Sequence, residues 1–155
     1  MSHIREQFAR TTCACVDCKA CCKRQPGPLV MGDFERIVAW REEQGFDHDL
    51  AVEWVKSKLW ASPGALVKTR DGQTYRVGTI TPRYRKSRCV FLDENDRCKI
   101  HSVAPFGCSH FDTHMGNAQA IPRSLAAVDS ACDPEYQKLR DTLPMASHYK
   151  PSPYR

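Results

Sequence analysis

CACVDCKACC, residues 13 to 22, gathers five cysteines: Cys13, Cys15, Cys18, Cys21 and Cys22. Four of them form the pattern CxxCxxCC, and chance rarely places four thiols within eight residues. A helix advances about 100° per residue. On a helix Cys15, Cys18 and Cys22 would share a face, with Cys21 to the side. In an extended segment Cys21 and Cys22 would point to opposite faces. In both geometries the adjacent pair diverges, so one tetrahedral ion can hardly take both. The pair points to two neighbouring sites, or to one cluster of several metal atoms.

Four more thiols lie downstream: Cys89, Cys98, Cys108 and Cys132. Nine cysteines are an odd number, so full pairing would leave one over. MSHIREQFAR, at the start, shows no apolar core and no small-residue cleavage site of a secretory signal. No apolar run approaches the ~18 residues of a membrane span. A cytoplasmic, reducing location is therefore expected, and it disfavours a disulfide framework. With Cys13 as the spare, eight thiolates could fill two four-cysteine zinc sites. They could equally hold an iron–sulfur cluster and one other metal. CxxCxxC matches the first three ligands of a bacterial ferredoxin run, but the next cysteine is adjacent and no Cys-Pro follows. Thiolate softness suits zinc and iron–sulfur alike. Any single cysteine also reads as a small buried hydrophobe, most strongly Cys132. A disulfide exchanger would need a strand before residue 15 and a βαβ unit after it, and neither is legible.

The rest of the chain predicts a small single α+β domain over residues 1–142, followed by a proline-rich, poorly ordered tail over 143–155. N-terminal helices come first. Asp33 is placed to cap FERIVAWREEQ, with Phe34, Ile37, Val38 and Trp40 inward and Gly45 as the stop. A second helix covers LAVEWVKSKLW, capped by Asp47 or Asp49, with Leu50, Trp54, Val55 and Leu59 inward; Ser62-Pro63-Gly64 ends it. Short antiparallel hairpins follow. ALVKT and QTYRVG flank Asp71-Gly72, a two-residue hairpin signal. Cys89 to Leu92 and Cys98 to His101 flank the turn Asp93–Asp96. DPEYQKLRDTL reads as a last helix. The architecture surrounds a cysteine-rich metal centre.

CxxCxxCC, followed by Cys89-Val-Phe-Leu, Cys98-Lys-Ile-His and Pro105…Cys108, resembles the YkgJ-type cysteine-cluster proteins. Those are described as zinc- or iron-chelating, and the flagellin lysine N-methylases are larger relatives. The resemblance rests on residues 15–22 and 89–111. It implies metal chelation by Cys15, Cys18, Cys21, Cys22, Cys89, Cys98 and Cys108, with Cys132 as an eighth ligand. It implies no substrate. His101 stands where a tyrosine is usual, and Ala104 and Ser109 stand where arginines are usual.

Function then divides into classes. In the first, the protein is a metal-binding module, and removing metal is expected to unfold it. In the second, it is a metalloenzyme or redox protein whose reactive iron involves His110 and His114, four apart and on one face if helical. The alternative for both histidines is a supporting hydrogen-bond role near a thiolate. In the third, it binds nucleic acid through the basic segment 68–88. That segment holds Lys68, Arg70, Arg76, Arg83, Arg85, Lys86 and Arg88 against Asp71, with Tyr75 and Tyr84 available to stack. The chain carries a formal charge of +5. Lys19, Lys23 and Arg24 could offset thiolate charge.

Overall fold

Two glycines with left-handed backbone, Gly32 (φ 90°) and Gly45 (φ 97°), bracket the first long helix. The computed structural model describes residues 4–11, 26–86 and 88–146. After a short α1 (Ile4–Gln7), this helix is α2 (Asp33–Glu43), and α3 (His48–Ser57) follows. Ile37 and Val38 are buried on α2, as expected, with Phe34 and Trp40 packed partly against them. Of the inward residues expected of α3, Val55 and Leu59 hold, with Trp54 packed partly against the core, and Leu50 fails. Ala51 and Val55 are the buried residues, whereas Leu50 is 53% exposed. Asp47 caps this helix by accepting a hydrogen bond from the Leu50 amide at 2.9 Å.

The helix also ends earlier than its sequence suggests. Leu59 and Trp60 already belong to β1 (Leu59–Lys68), which pairs antiparallel with β2 (Thr74–Pro82). Ser62-Pro63-Gly64 is therefore not a helix stop but an irregularity inside the strand, where the register shifts. Gly64 has φ +78°, and a Cβ there would fall 1.8 Å from the Val77 carbonyl oxygen. Asp71-Gly72 does turn the hairpin. Thr69 donates to the Gln73 carbonyl at 2.8 Å and Gly72, at φ 86°, donates to that of Thr69 at 3.1 Å. The loop therefore has three residues, Arg70 to Gly72, and not the two expected, with the left-handed Gly72 closing it.

Two small ladders continue the chain: β3 (Tyr84–Arg85) pairs with β4 (Arg88–Cys89), and Leu92 bridges Cys98 across the Asp93–Asp96 turn. A 3-10 turn (His101–Val103), α4 (Phe106–Ser109), α5 (Asn117–Ala131) and α6 (Pro134–Asp141) complete the described order. α6 begins where it was expected, with the Asp133 carboxylate accepting from the Glu135 amide at 2.9 Å. Beyond it Leu143 is buried, and residues 144–146 run beside β1: Ala61 donates to the Pro144 carbonyl at 2.7 Å and Ala146 to that of Ala61 at 2.9 Å. That start of the tail is ordered, contrary to expectation.

The principal core draws on α2, α3, both β-hairpins, α5 and α6, with Phe91, Ile100, Ile80 and Tyr136 among its members. Tyr136 ties three pieces of it together. Its hydroxyl donates to the Leu29 carbonyl at 2.8 Å and accepts from the Ile80 amide at 2.8 Å. Burial pushes this phenol well above its ordinary pKa, so it stays a donor. Tyr136→Phe leaves both backbone groups unmatched in the interior, and a loss of about 1–3 kcal/mol is expected from urea unfolding. A loss below about 0.5 kcal/mol would mean that water or a shifted partner replaces the hydroxyl.

Candidate metal centre

Cys13, Cys15, Cys18, Cys21 and Cys22 lie outside the described residues. The chain on either side of them is described, and both sides are fastened to α4. On the leading side the Thr11 amide donates to the Ser109 carbonyl at 3.0 Å. The Thr11 hydroxyl also donates to the Asp112 carboxylate, which that bond holds below the usual carboxylate range. Arg10 donates to the His101 carbonyl. On the trailing side the Gly27 amide donates to Cys108 Sγ at 3.2 Å, and the Gly107 amide to the Pro28 carbonyl at 2.9 Å. Thr11 and Gly27 thus meet α4 at consecutive residues, Ser109 and Cys108.

Two glycines make this approach possible. A Cβ on Gly27 would sit 2.1 Å from the Gly107 carbonyl carbon, and a Cβ on Gly107 would sit 2.3 Å from Pro28 Cδ. Both clashes involve backbone or ring atoms that cannot swing away. Gly107→Ala must therefore push residues 26–28 off α4 and break the amide–sulfur bond. Reduced thermal stability together with weaker metal retention is expected; unchanged metal retention would show that Cys108 acts independently of Gly27.

α4 is held in turn by a buried ion pair. Asp33 is 0% exposed. Its Oδ1 accepts from Arg5 at 2.8 Å, and its Oδ2 accepts from the amides of Val30 at 2.9 Å and Phe106 at 2.8 Å. Desolvation raises its pKa, opposed by those amides and by Arg5. Arg5 also donates to the Ala104 carbonyl at 3.0 Å and to Ser109 Oγ at 3.3 Å. By its position in the sequence Asp33 reads as a helix cap. The cap position is Gly32, and the carboxylate instead joins α1, the turn before α2, and the start of α4. No local sequence signal distinguishes these roles, because both place an acid at a helix start.

The downstream thiols are distributed. Cys89 is buried in β4 and belongs to the principal core; Cys98 packs partly against it. Cys108 is half-buried beside Gly27. Cys132 is exposed at the C-terminus of α5. Among the described residues no three His, Cys, Asp or Glu side chains come together to hold a metal ion. The described residues alone therefore assemble no metal site. The donor chemistry fits one. An amide directed at sulfur stabilises thiolate charge, and thiolates suit both zinc and iron.

The histidines do not share a helix face. α4 stops at Ser109; His110 follows as its cap, and His114 lies in a turn where its amide donates to Asp112 at 2.9 Å. His110 is buried, stacked on Phe106 at 4.6 Å, with Nδ1 2.8 Å from Ser109 Oγ and a further hydrogen bond to the Arg5 backbone. Burial first, then the charge of Arg5, lowers its pKa to about 4, so the ring is neutral at pH 7. His101 is exposed. Of the basic segment, Arg83 donates to the Leu59 carbonyl at 2.8 Å and Arg88 pairs with Asp96, both internal uses.

Nine cysteines, with Cys108 accepting an amide hydrogen bond, are donor chemistry suited to a thiol-based metal-chelating protein. The comparison with known families agrees: residues 14–133 match the family described as "CxxCxxCC: Putative zinc- or iron-chelating domain", and the chain belongs to that family. No curated protein and no solved structure matches the chain significantly. No described helix is long and apolar enough to cross a membrane.

Proposed function

We propose that the protein chelates zinc or iron through Cys15, Cys18, Cys21 and Cys22 together with Cys108. Cys89, Cys98 and Cys132 complete a second site or a multinuclear cluster. The observation that carries this reading is the fastening of Thr11 and Gly27 to Ser109 and Cys108. It brings Thr11 and Gly27, which flank residues 12–25 in the chain, to a helix whose Cys108 already receives an amide hydrogen bond. Arg10 brings the leading end to His101, three residues after Cys98. The bound metal would supply either closed structural sites, if zinc, or an electron-accepting centre, if iron–sulfur. The chain's own residues supply thiolate donors, an amide aimed at one sulfur, and an enclosing scaffold.

The enzymatic alternative built on His110 and His114 has less support. The His110 ring is engaged with Ser109 and Arg5 and stacked inside the fold. Absorption separates the metals. Protein purified without oxygen that is brown, with a broad band near ~400 nm and acid-labile sulfide, carries iron–sulfur. Colourless protein with stoichiometric zinc carries closed sites.

A further inference from the structure

α5 is an amphipathic helix turned inside out. It buries Arg123, Ala127, Ser130 and Ala131, three small side chains and one cation. Its large apolar side chains face outward: Ile121 is 52% exposed and Leu125 is 63% exposed. A surface helix ordinarily does the reverse. At about 100° per residue, Ala118, Ile121, Leu125, Val128 and Cys132 all fall within about 80° of one another, opposite the buried face. Three- and four-residue steps alternate along this stripe, as they do along the seam of a helix that packs lengthwise on another helix.

The stripe is also free of charge. Of the two charged residues in α5, Arg123 is buried and Asp129 stands at the stripe's margin. Beside it lies a hollow of 290 Å³, walled by Ser124 and Val128 of α5, Phe111 after α4, and Ala65 and Thr79 of the first hairpin. A protruding Leu125 and a hollow able to take a side chain thus occupy one surface. An isologous contact requires that pairing, because a two-fold axis sets each knob against the other copy's hole. α5 is about 22 Å long, and with the hollow the face is roughly 20 Å wide, on the order of 400–500 Å². That is large for a patch left bare on a monomer. It is small for a permanent dimer and matches the weakest class of specific interface, below about 600 Å² per partner.

We propose that α5 is the contact face of a weak homodimer, in which Ile121, Leu125 and Val128 of two copies pack about a two-fold axis and each Leu125 enters the other copy's hollow. A strongly charged partner would find no charge on the stripe to pair with. An identical uncharged face is its own complement. The contact needs neither metal nor a disulfide, so it stands apart from the chelation reading.

Analytical ultracentrifugation of the full-length protein, kept reduced and free of oxygen, is the test. Between about 2 and 200 µM the mass should rise from that of one chain toward twice that value, with a midpoint on the order of 10–100 µM for an interface this small. Raising the salt should not weaken an uncharged contact. Leu125→Glu would carry a charge into the interface, and a tenfold or greater weakening is expected. Its far-UV spectrum and melting temperature as a monomer should be unchanged, because the side chain is 63% exposed. Leu50→Glu, at a position 53% exposed on α3, is the control and should dimerise like the unaltered chain. A protein that stays monomeric throughout would overturn the inference. A dimer that disappears on reduction would do the same, since thiols would then be the link. So would a dimer that Leu125→Glu leaves intact, because another surface would then be responsible. A monomer whose melting temperature falls with Leu125→Glu would show the face covered by the chain's own residues, and that too would overturn it.

Discussion

Removing the bound metal with a strong chelator is expected to lower the melting temperature by about 10–15 °C while leaving most far-UV helicity intact at 25 °C. The size follows from linkage: a ligand present at a thousand times its dissociation constant stabilises by about 4 kcal/mol. Each kcal/mol shifts the midpoint of a chain of this size by roughly 2–4 °C. The persistence of the fold follows from the core. Leu29, Ile37, Val55, Ile80, Phe91 and Ile100 are buried together, and none belongs to residues 12–25. Complete unfolding, the outcome expected of a module held together by metal alone, is therefore not expected here. The sensitive part is the second cluster, where Val30, Phe106 and Ala127 meet Ile4, Phe8 and Phe111 beside the fastened ends. Replacing Cys18 and Cys21 together by Ser should reproduce the chelator's effect. A melting temperature indifferent to both treatments would mean that metal and fold are uncoupled.

Asp33→Ala is expected to cost about 3–5 kcal/mol, the usual penalty for leaving one partner of a buried ion pair without its counter-charge. Arg5 would lose its carboxylate, and the amides of Val30 and Phe106 would lose their shared acceptor. The damage should extend to metal binding, because Phe106 opens α4 and Cys108 rides on it. Reduced metal content in material refolded at low temperature is thus the second readout. Arg5→Met/Asp33→Leu separates the two causes. It removes both charges but still orphans the amides, so it should recover part of the loss and not all. Full recovery would assign the whole cost to charge; no recovery would assign it to the amides.

Much of this architecture is legible in the sequence where local chemistry is unambiguous. Asp47 and Asp133 cap helices, Gly45 follows one, and Asp71-Gly72 turns a hairpin, because each acts on its immediate neighbours. Where the decisive partner is distant, the sequence is mute. α5 is not legible in the sequence because its buried face is Arg123, Ala127, Ser130 and Ala131, without large apolar residues, while Ile121 and Leu125 point to solvent. Pro122 also sits inside it, but in its second turn, where only one intrahelical bond is forfeited. Ser62-Pro63-Gly64 carries turn residues yet lies within a strand, since a bulge needs the same backbone freedom as a turn. At the candidate centre the thiols themselves were legible. The Asp33–Arg5 pair and the Gly27–Gly107 approach were not, because both join residues more than 25 positions apart.

The central claim is that thiolates from residues 15–22 bind metal together with Cys108. Metal, sulfide and reactive-thiol counts per chain on anaerobically purified protein test it most directly, with Cys108→Ser measured in parallel. The expected result is at least one zinc or iron per chain, with most of the nine thiols masked until a chelator is added, and a clear fall in both measures for Cys108→Ser. A folded, metal-free protein whose thiols react freely, unchanged by Cys108→Ser, would contradict it.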